Sequence, residues 1–476
     1  MKIPTEGLRK NAVLDELRTY GSADLDWRSG RTFGYVYDAG REAEDVARAA
    51  SALFLSDNAL DPTAFPSLLR LENEIVAMAA AHVEATADVA GNVTSGGTES
   101  IILAVKTARD LFRARHPAAG TPHMVLPVTA HAAFHKAAHY LGVDVVQTPV
   151  NLVSFRADVD AVRAAVGPET MLIVGSAPSY AHGVVDPIRQ LAAIALEHGV
   201  PFHVDACVGG FLLPYLRRLG EDIPDFDFRV PGVTSISMDL HKYAYVPKGA
   251  SVILHRSADL RRHQFYACCR WTGYGVVNAT VQSSKSGGPL AAAWAVLRHI
   301  GDDGYLRMAR EVRDATRAIV GGIERIPGLR MLGRPDMSLV AFASDAVDVF
   351  HVVDEMKERG WYVQAQLGFA GSPPNVHLTI CPSNAPHVEA FLRDLTASVE
   401  AARALPPALT LPMDPSSLDP SSLTPEMFAQ MLAMVGVEDG RLPRRMAGIN
   451  GILAALPPEA TERLMVEFLN GMYRRP

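Results

Sequence analysis

PFHVDAC (201–207) and VTSISMDLHK (233–242) are each a short β-prone run that ends on residues able to do chemistry. Similar runs precede and follow them: His123 to Val128, Val143 to Thr148, Met171 to Val174 and Ser251 to His255. Helical periodicity fills the gaps, at Thr98 to Arg115, Ala132 to Leu141, Asp158 to Val166 and Asp186 to His198. Strand-helix alternation of this kind predicts a mostly parallel sheet covered on both faces. Ligands in such sheets gather beyond the carboxyl ends of the strands. Chemistry is therefore sought at the ends of these runs.

Working outward, residues 1–60 read as an N-terminal extension, with turn signals around Trp27 to Gly40 and a helix from Glu42 to Phe54. An amphipathic helix follows from Ser67 to Glu84, and residues 61–305 form the large unit. A long helix from Ala291, continuing past Gly304 to Ile323, leads into a smaller α/β unit over 306–404. Residues 405–476 read as a proline-rich linker and a helical extension, with helices at Pro425 to Val435 and Pro458 to Tyr473. The formal charge of −7 argues against general nucleic-acid binding, and the arginine clusters read as solvated surface. Four cysteines without zinc-site spacing imply reduced thiols and no metal. No signal peptide and no membrane-length apolar run is seen, so a soluble, cytoplasmic protein is expected.

Four strand ends carry candidates. Lys242, just past a buried run, is placed to be desolvated and to form a Schiff base; taken alone, a surface loop lysine explains it better. Asp205 and His203 share one strand face, and a carboxylate at that end holds a pyridine nitrogen protonated; in isolation Asp205 reads as a helix cap. Ser95-Gly96-Gly97-Thr98 opens a helix, where paired glycines and the helix dipole suit a phosphate, although such turns are common. His131 begins another helix and can stack on a flat ring, or simply cap. Phosphate cradle, stacking ring, carboxylate and lysine, in that chain order, imply pyridoxal 5′-phosphate (PLP).

These residues resemble the group II decarboxylase family of PLP fold-type-I enzymes, and within it the sphingosine-1-phosphate lyases. The similar stretches are NVTSGGTES (92–100), TAHAAFHKA (129–137), HGVVDPI (182–188), HVDACVGGFLLP (203–214) and FRVPGVTSISMDLHKYAYVPKG (228–249), within a span of roughly 20–400. The resemblance implies an α/β PLP fold type I, with a mostly parallel large-domain sheet and a smaller C-terminal α/β domain. It implies Lys242 as the cofactor lysine, Asp205 as the pyridinium partner and His131 as the stacking residue. Ser95, Gly96, Gly97 and Thr98 take the cofactor phosphate, with His203, Ser237 and His241 nearby.

Gly287-Gly288 resembles a loop that completes a neighbouring subunit's site, which implies a homodimer. Tyr37 and Tyr180 resemble tyrosines near the reacting carbon, or else are buried aromatics with satisfied hydroxyls. Lys248 resembles a second lysine lining the substrate site, and Asn58 and Asp61 fall in a substrate-phosphate segment. Asp61 replaces the histidine usual there, and an aspartate repels a phosphate dianion unless it is turned away or paired. The implied reaction breaks the C2–C3 bond of a phosphorylated sphingoid base, giving a long-chain aldehyde and phosphoethanolamine. Tyr180, Tyr37, His131 and Lys242 are the proton-transfer candidates. The alternative within the family is L-amino-acid decarboxylation.

Overall fold

The computed structural model describes residues 2–406, 427 and 442–473; apart from residue 427, the expected helix at 425–435 lies outside these. Before the main sheet come α1 (Lys10–Gly21), α2 (Arg41–Leu53) and α3 (Pro66–His82). The sheet has strands β1 (Ala90–Thr94), β2 (His123–Pro127), β3 (Asp144–Thr148), β4 (Thr170–Ser176), β5 (Phe202–Asp205), β6 (Val233–Met238) and β7 (Ser251–His255). Between them lie α4 (Gly97–Arg115), α5 (Ala133–Leu141), α6 (Val159–Ala165), α7 (Ile188–His198) and α8 (Leu212–Arg218). The strand order is β1-β7-β6-β5-β4-β2-β3. The five strands β2 to β6 run parallel, while β7 is antiparallel to both its neighbours. β4, β5 and β7 are buried along their whole length, as a sheet covered on both faces requires.

β1 was not expected, because Ala90-Gly-Asn-Val-Thr94 is not an apolar run. Gly91 explains its place: a Cβ there would lie 2.5 Å from the Ile253 carbonyl oxygen, so only glycine lets β1 close against β7. Beyond the sheet, α9 (Ala258–Arg261) and the hairpin β8 (Tyr266–Cys268) and β9 (Val276–Asn278) lead to α10 (Gly287–Ile323). This long helix starts four residues earlier than its periodicity suggested and is broken at Gly301, where φ is 64°. Ser286 caps it by accepting from Gly288 N, so Gly287-Gly288 form its first turn rather than a free loop.

A second, antiparallel sheet follows, ordered β10-β11-β13-β12. Its strands are β10 (Leu329–Met331), β11 (Leu339–Ser344), β12 (Gln364–Gln366) and β13 (Asn375–Thr379), backed by α11 (Val349–Glu358) and α12 (Val388–Arg403). The N-terminal stretch is not one appendage. Phe33 is fully buried in the core of this second unit, 4.6 Å from the Phe391 ring centroid, while Asn384 donates to the Gly30 and Thr32 carbonyls. Burying a phenylalanine contributes roughly 2–3 kcal/mol, enough to tie residues 30–33 here. Near the C-terminus α13 (Ala447–Ala455) docks on α11, its first amides donating to Asp354, and α14 (Pro458–Met472) follows.

Candidate active site

The carboxyl ends of β4, β5 and β6 and the start of α4 enclose a cavity of about 370 Å³. Ser95, Gly96, Gly97, Thr98, His131, Tyr180, Asp205, His241 and Lys242 all line it. At its α4 end Gly96 offers no side-chain cap, and the first helical bond runs from Ser100 N to Gly96 O. The amides of Gly97 to Glu99 precede that bond and have no partner within the helix. Glu99 secures the loop from outside, its Oε2 accepting from Ser95 N at 2.6 Å and its Oε1 from Val281 N at 2.7 Å. A Cβ on Gly97 would fall 2.7 Å from an Asp239 carboxylate oxygen and 2.9 Å from Cys207 Sγ. Glycine is therefore required for the loop to settle into the cavity.

Lys242 Nζ lies 3.0 Å from Asp239 Oδ2, and His241 Nε2 lies 3.5 Å from the same oxygen. Burial by itself pulls the lysine pKa down, but the charge of Asp239, helped by Cys207, Tyr37 and Asp205, outweighs it and carries the pKa above its ordinary value. For Asp239 burial likewise acts upward, and the Lys242 ammonium, with His241 and hydrogen bonds behind it, reverses it, holding the carboxyl below its usual range. Asp239 Oδ1 and His241 Nδ1 are buried without a hydrogen-bond partner among the described residues. Asp205 Oδ1 accepts from Cys207 N at 3.0 Å, which orients the carboxylate at the end of β5. His131 Nδ1 accepts from Ala133 N at 3.1 Å, so the neutral ring carries its proton on Nε2. Tyr180 donates to Gln364 Oε1 at 2.6 Å, and its ring stacks on His377 at 4.5 Å.

Other expected residues lie elsewhere. His203 and Ser237 sit one layer below the cavity floor: His203 Nδ1 meets Ser235 Oγ at 2.8 Å and Nε2 meets Ser237 Oγ at 3.1 Å. Complete burial pushes the His203 pKa down to about 3, so it is a neutral support. Tyr37 and Lys248 line an adjoining cavity of about 570 Å³ that meets the first at His241. Lys248 Nζ stands 4.9 Å from the Tyr37 ring centroid and donates to the His241 carbonyl at 3.3 Å.

Asn58, Asp61, Gly287 and Gly288 are outside both cavities, although Asn58 and Gly287 belong to one interlocked patch. Asn58 Oδ1 accepts from Leu60 N and Lys285 N, Ala59 N donates to Lys285 O, and Gly287 N donates to Asp57 O. Asp61 is exposed and turned onto its own loop, accepting from Thr63 N at 2.8 Å and Thr63 Oγ1 at 2.6 Å. Those donors, the hydroxyl first, hold its carboxyl below the usual range.

Four contributors were overlooked in the sequence. Asp239 stands three residues before Lys242, and Glu99 stands at the capping-box distance from Gly96. Both spacings were readable. Gln364 and His377 come from the second sheet, and no local pattern marks them. Among the described residues no group of three or more His, Cys, Asp or Glu could hold a metal ion.

Residues 26–345 match the family described as pyridoxal-dependent decarboxylase conserved domain, and residues 398–471 match pyridoxal-dependent enzyme, C-terminal putative HTH domain. The chain is 41% identical to a sphingosine-1-phosphate lyase of Oryza sativa subsp. japonica over 413 residues, covering 85% of this chain and 75% of that protein. It is 37% identical to sphingosine-1-phosphate lyase 1 of Rattus norvegicus, covering 86% of this chain and 72% of that protein. A solved sphingosine-1-phosphate lyase from Burkholderia pseudomallei superposes with a TM-score of 0.81 at 40% identity, over 85% of this chain and 93% of its own. The cofactor of this fold is PLP, and the cavity fits it. It offers uncapped helix amides with two hydroxyls for the phosphate, a carboxylate for the ring nitrogen, an imidazole for the ring face and a lysine amine for the aldehyde carbon.

Proposed function

The chain belongs to the pyridoxal-dependent decarboxylase family, in its sphingosine-1-phosphate lyase branch, and we propose that it cleaves the C2–C3 bond of phosphorylated sphingoid bases to a long-chain aldehyde and phosphoethanolamine. The observation that carries this reading is the identity to sphingosine-1-phosphate lyases across most of the chain. Lys248 beside Tyr37 supports it, as a cation next to the Lys242 cavity suited to a substrate phosphate.

When bound, PLP supplies the sink for the electron pair released on bond cleavage. Asp205 holds a positive charge opposite its carboxylate, and the α4 amides with Ser95 and Thr98 anchor a phosphate. Burial, acting first, raises the hydroxyl pKa values of Tyr37 and Tyr180, so both rest protonated and serve as proton donors. His131 presents its Nε2–H, also a donor. Lys242 Nζ in its neutral form is then the basic atom that accepts the proton of the 3-hydroxyl, and Asp239 stabilises the resulting ammonium. Tyr180 Oη or His131 Nε2 returns a proton to C2.

The molecule acts as a homodimer in this reading. The patch around Asn58 and Gly287-Gly288 is self-supporting and lies outside the lining of both cavities, as a contribution to a partner's site would. No helix among the described residues is long and apolar enough to cross a membrane. The test is incubation of PLP-loaded protein with sphingosine 1-phosphate and mass spectrometry of the products. Long-chain aldehyde and phosphoethanolamine in equal amounts are expected. Carbon dioxide released from an L-amino acid, with no aldehyde from the phosphorylated base, would replace the lyase by a decarboxylase.

A further inference from the structure

Tyr180, in the wall of the Lys242 cavity, is held from the second sheet. β12 and β13 pair so that Gln364 stands directly opposite His377, and both side chains meet Tyr180. His377 Nε2 lies 2.9 Å from the Tyr180 carbonyl oxygen, and its Nδ1 lies 3.3 Å from Gln364 Oε1. That same Oε1 lies 2.6 Å from Tyr180 Oη. Both imidazole nitrogens therefore face an acceptor, while a neutral imidazole has one proton to give. His377 is fully buried, and burial pushes its pKa down to about 4 despite the Tyr180 carbonyl, so no second proton joins it at neutral pH. A backbone carbonyl only accepts, so the single proton stays on Nε2. The lone pair of Nδ1 then faces the Gln364 amide. A half-turn of that amide exchanges oxygen for nitrogen in nearly the same shape and removes the conflict. Its NH2 group donates one proton to His377 Nδ1 and the other to Tyr180 Oη. Nothing is lost in the turn, because the other end of the amide bonds no described residue.

Resting on the lyase reading above, we propose that Gln364 and His377 are positioning residues that fix the direction of this hydrogen bond: Gln364 donates to Tyr180 Oη, and the tyrosine's own proton is left to point into the Lys242 cavity. In the opposite direction that proton is spent on Gln364, and Tyr180 has none to offer. The Thr379 hydroxyl reaches Tyr180 as a second hydrogen-bond partner. When Tyr180 protonates C2, its O–H bond breaks and a C–H bond forms with the electron pair of the broken C2–C3 bond. The phenolate oxygen left behind is met by the Gln364 N–H and the Thr379 hydroxyl, which favour its charge. The proton that Lys242 took from the 3-hydroxyl then replaces the one given up by Tyr180. Over the cycle no proton is gained or lost.

Gln364→Glu and Gln364→Leu separate the two directions in full-length, PLP-loaded protein acting on sphingosine 1-phosphate. A carboxylate accepts from Tyr180 but cannot donate to it, and leucine does neither. If Gln364 donates, kcat should fall about a hundredfold in both variants, because return of the proton becomes slow. Cleavage comes earlier, so kcat/KM should stay within about threefold and the first-turnover burst of aldehyde should remain. Turnover by Gln364→Glu close to wild type would mean that Gln364 accepts, and would overturn the proposal. So would loss of the burst and of kcat/KM along with kcat, the mark of a site that is merely disordered. A second measurement needs no turnover: the nitrogen spectrum of holoenzyme carrying nitrogen-15 histidine, with the His377 signals identified by their absence in His377→Gln. A bare Nδ1 and a protonated Nε2 are expected; a proton on Nδ1 would overturn the proposal. The expected tautomer in wild-type protein that forms no aldehyde would uphold the direction of the hydrogen bond and remove the lyase reading.

Discussion

The Lys242 cavity and the patch that joins Asp57–Leu60 to Lys285–Gly288 are built on opposite principles. In the cavity, side chains from β4, β5, β6 and α4 converge, and polar groups are left open: among the described residues Asp239 Oδ1 and His241 Nδ1 have no partner, and the first α4 amides have none within their helix. In the patch nearly every group is satisfied locally: Asn58 bonds Leu60 and Lys285, Gly287 bonds Asp57, and Ser286 caps α10. Buried polar groups left unmatched cost stability, so they persist where a ligand completes them. One region is a site in waiting, and the other is a rigid surface fit to be presented to something else.

The largest effect should come from the cavity. Lys242→Ala is expected to lower turnover by roughly a thousandfold or more, measured as aldehyde formed per cofactor-loaded chain. Activity within tenfold of wild type would dissolve the contrast between the regions. Next comes a complementation experiment. Gly288→Asp in the patch should inactivate a homodimer, yet mixing it with Lys242→Ala chains should restore about a quarter of the sites, because each hybrid holds one intact cavity facing one intact patch. A mixture of folded, dimeric chains that stays inactive would show that the patch serves no partner's site.

A smaller loss is expected of Gly97→Ala. Its Cβ presses on Asp239 and Cys207, so stability should fall by about 1–3 kcal/mol and cofactor affinity by about tenfold, read by thermal melts and PLP titration. Unchanged values would mean that the α4 loop is not tightly seated. The mildest effect is that of pH on the layer beneath the sites. Burial lowers the pKa values of His182, His255 and His377 to about 4, and of His203 to about 3. Their folded values lie below the unfolded one, so their contribution is complete above pH 6.5 and is lost as pH falls from there towards 4. Asp186, raised to about 6 by burial, takes up a proton in the native state and offsets part of it. Melting temperature should therefore drop between pH 6.5 and 5; a flat profile would contradict neutral, buried histidines.

How much of this was readable follows the same division. Lys242, Asp205, His131 and the Gly96-Gly97 turn stand where strands end and helices begin, and those boundaries are written in hydrophobic periodicity. His203 was assigned beside the cofactor for a sound reason, its shared strand face with Asp205, but depth along a strand is not legible from alternation. Ser235 and Ser237 hold it a layer down. Asp239 and Glu99 had readable spacings that went unused. Gln364 and His377, which fix Tyr180, arrive from a separate sheet nearly 200 residues on, and only tertiary packing brings them in. β1 was hidden because its pairing depends on the absence of a side chain at Gly91.

The most direct test of the central claim is chemical labelling of the cofactor lysine. PLP-loaded protein is reduced with borohydride, digested, and its peptides are searched by mass spectrometry for the phosphopyridoxyl group. The expected result is a single labelled site at Lys242, absent after Lys242→Ala. Label on Lys248 or Lys285 instead, with Lys242 unmodified, would contradict it and would move the chemistry out of the cavity at the ends of β4, β5 and β6.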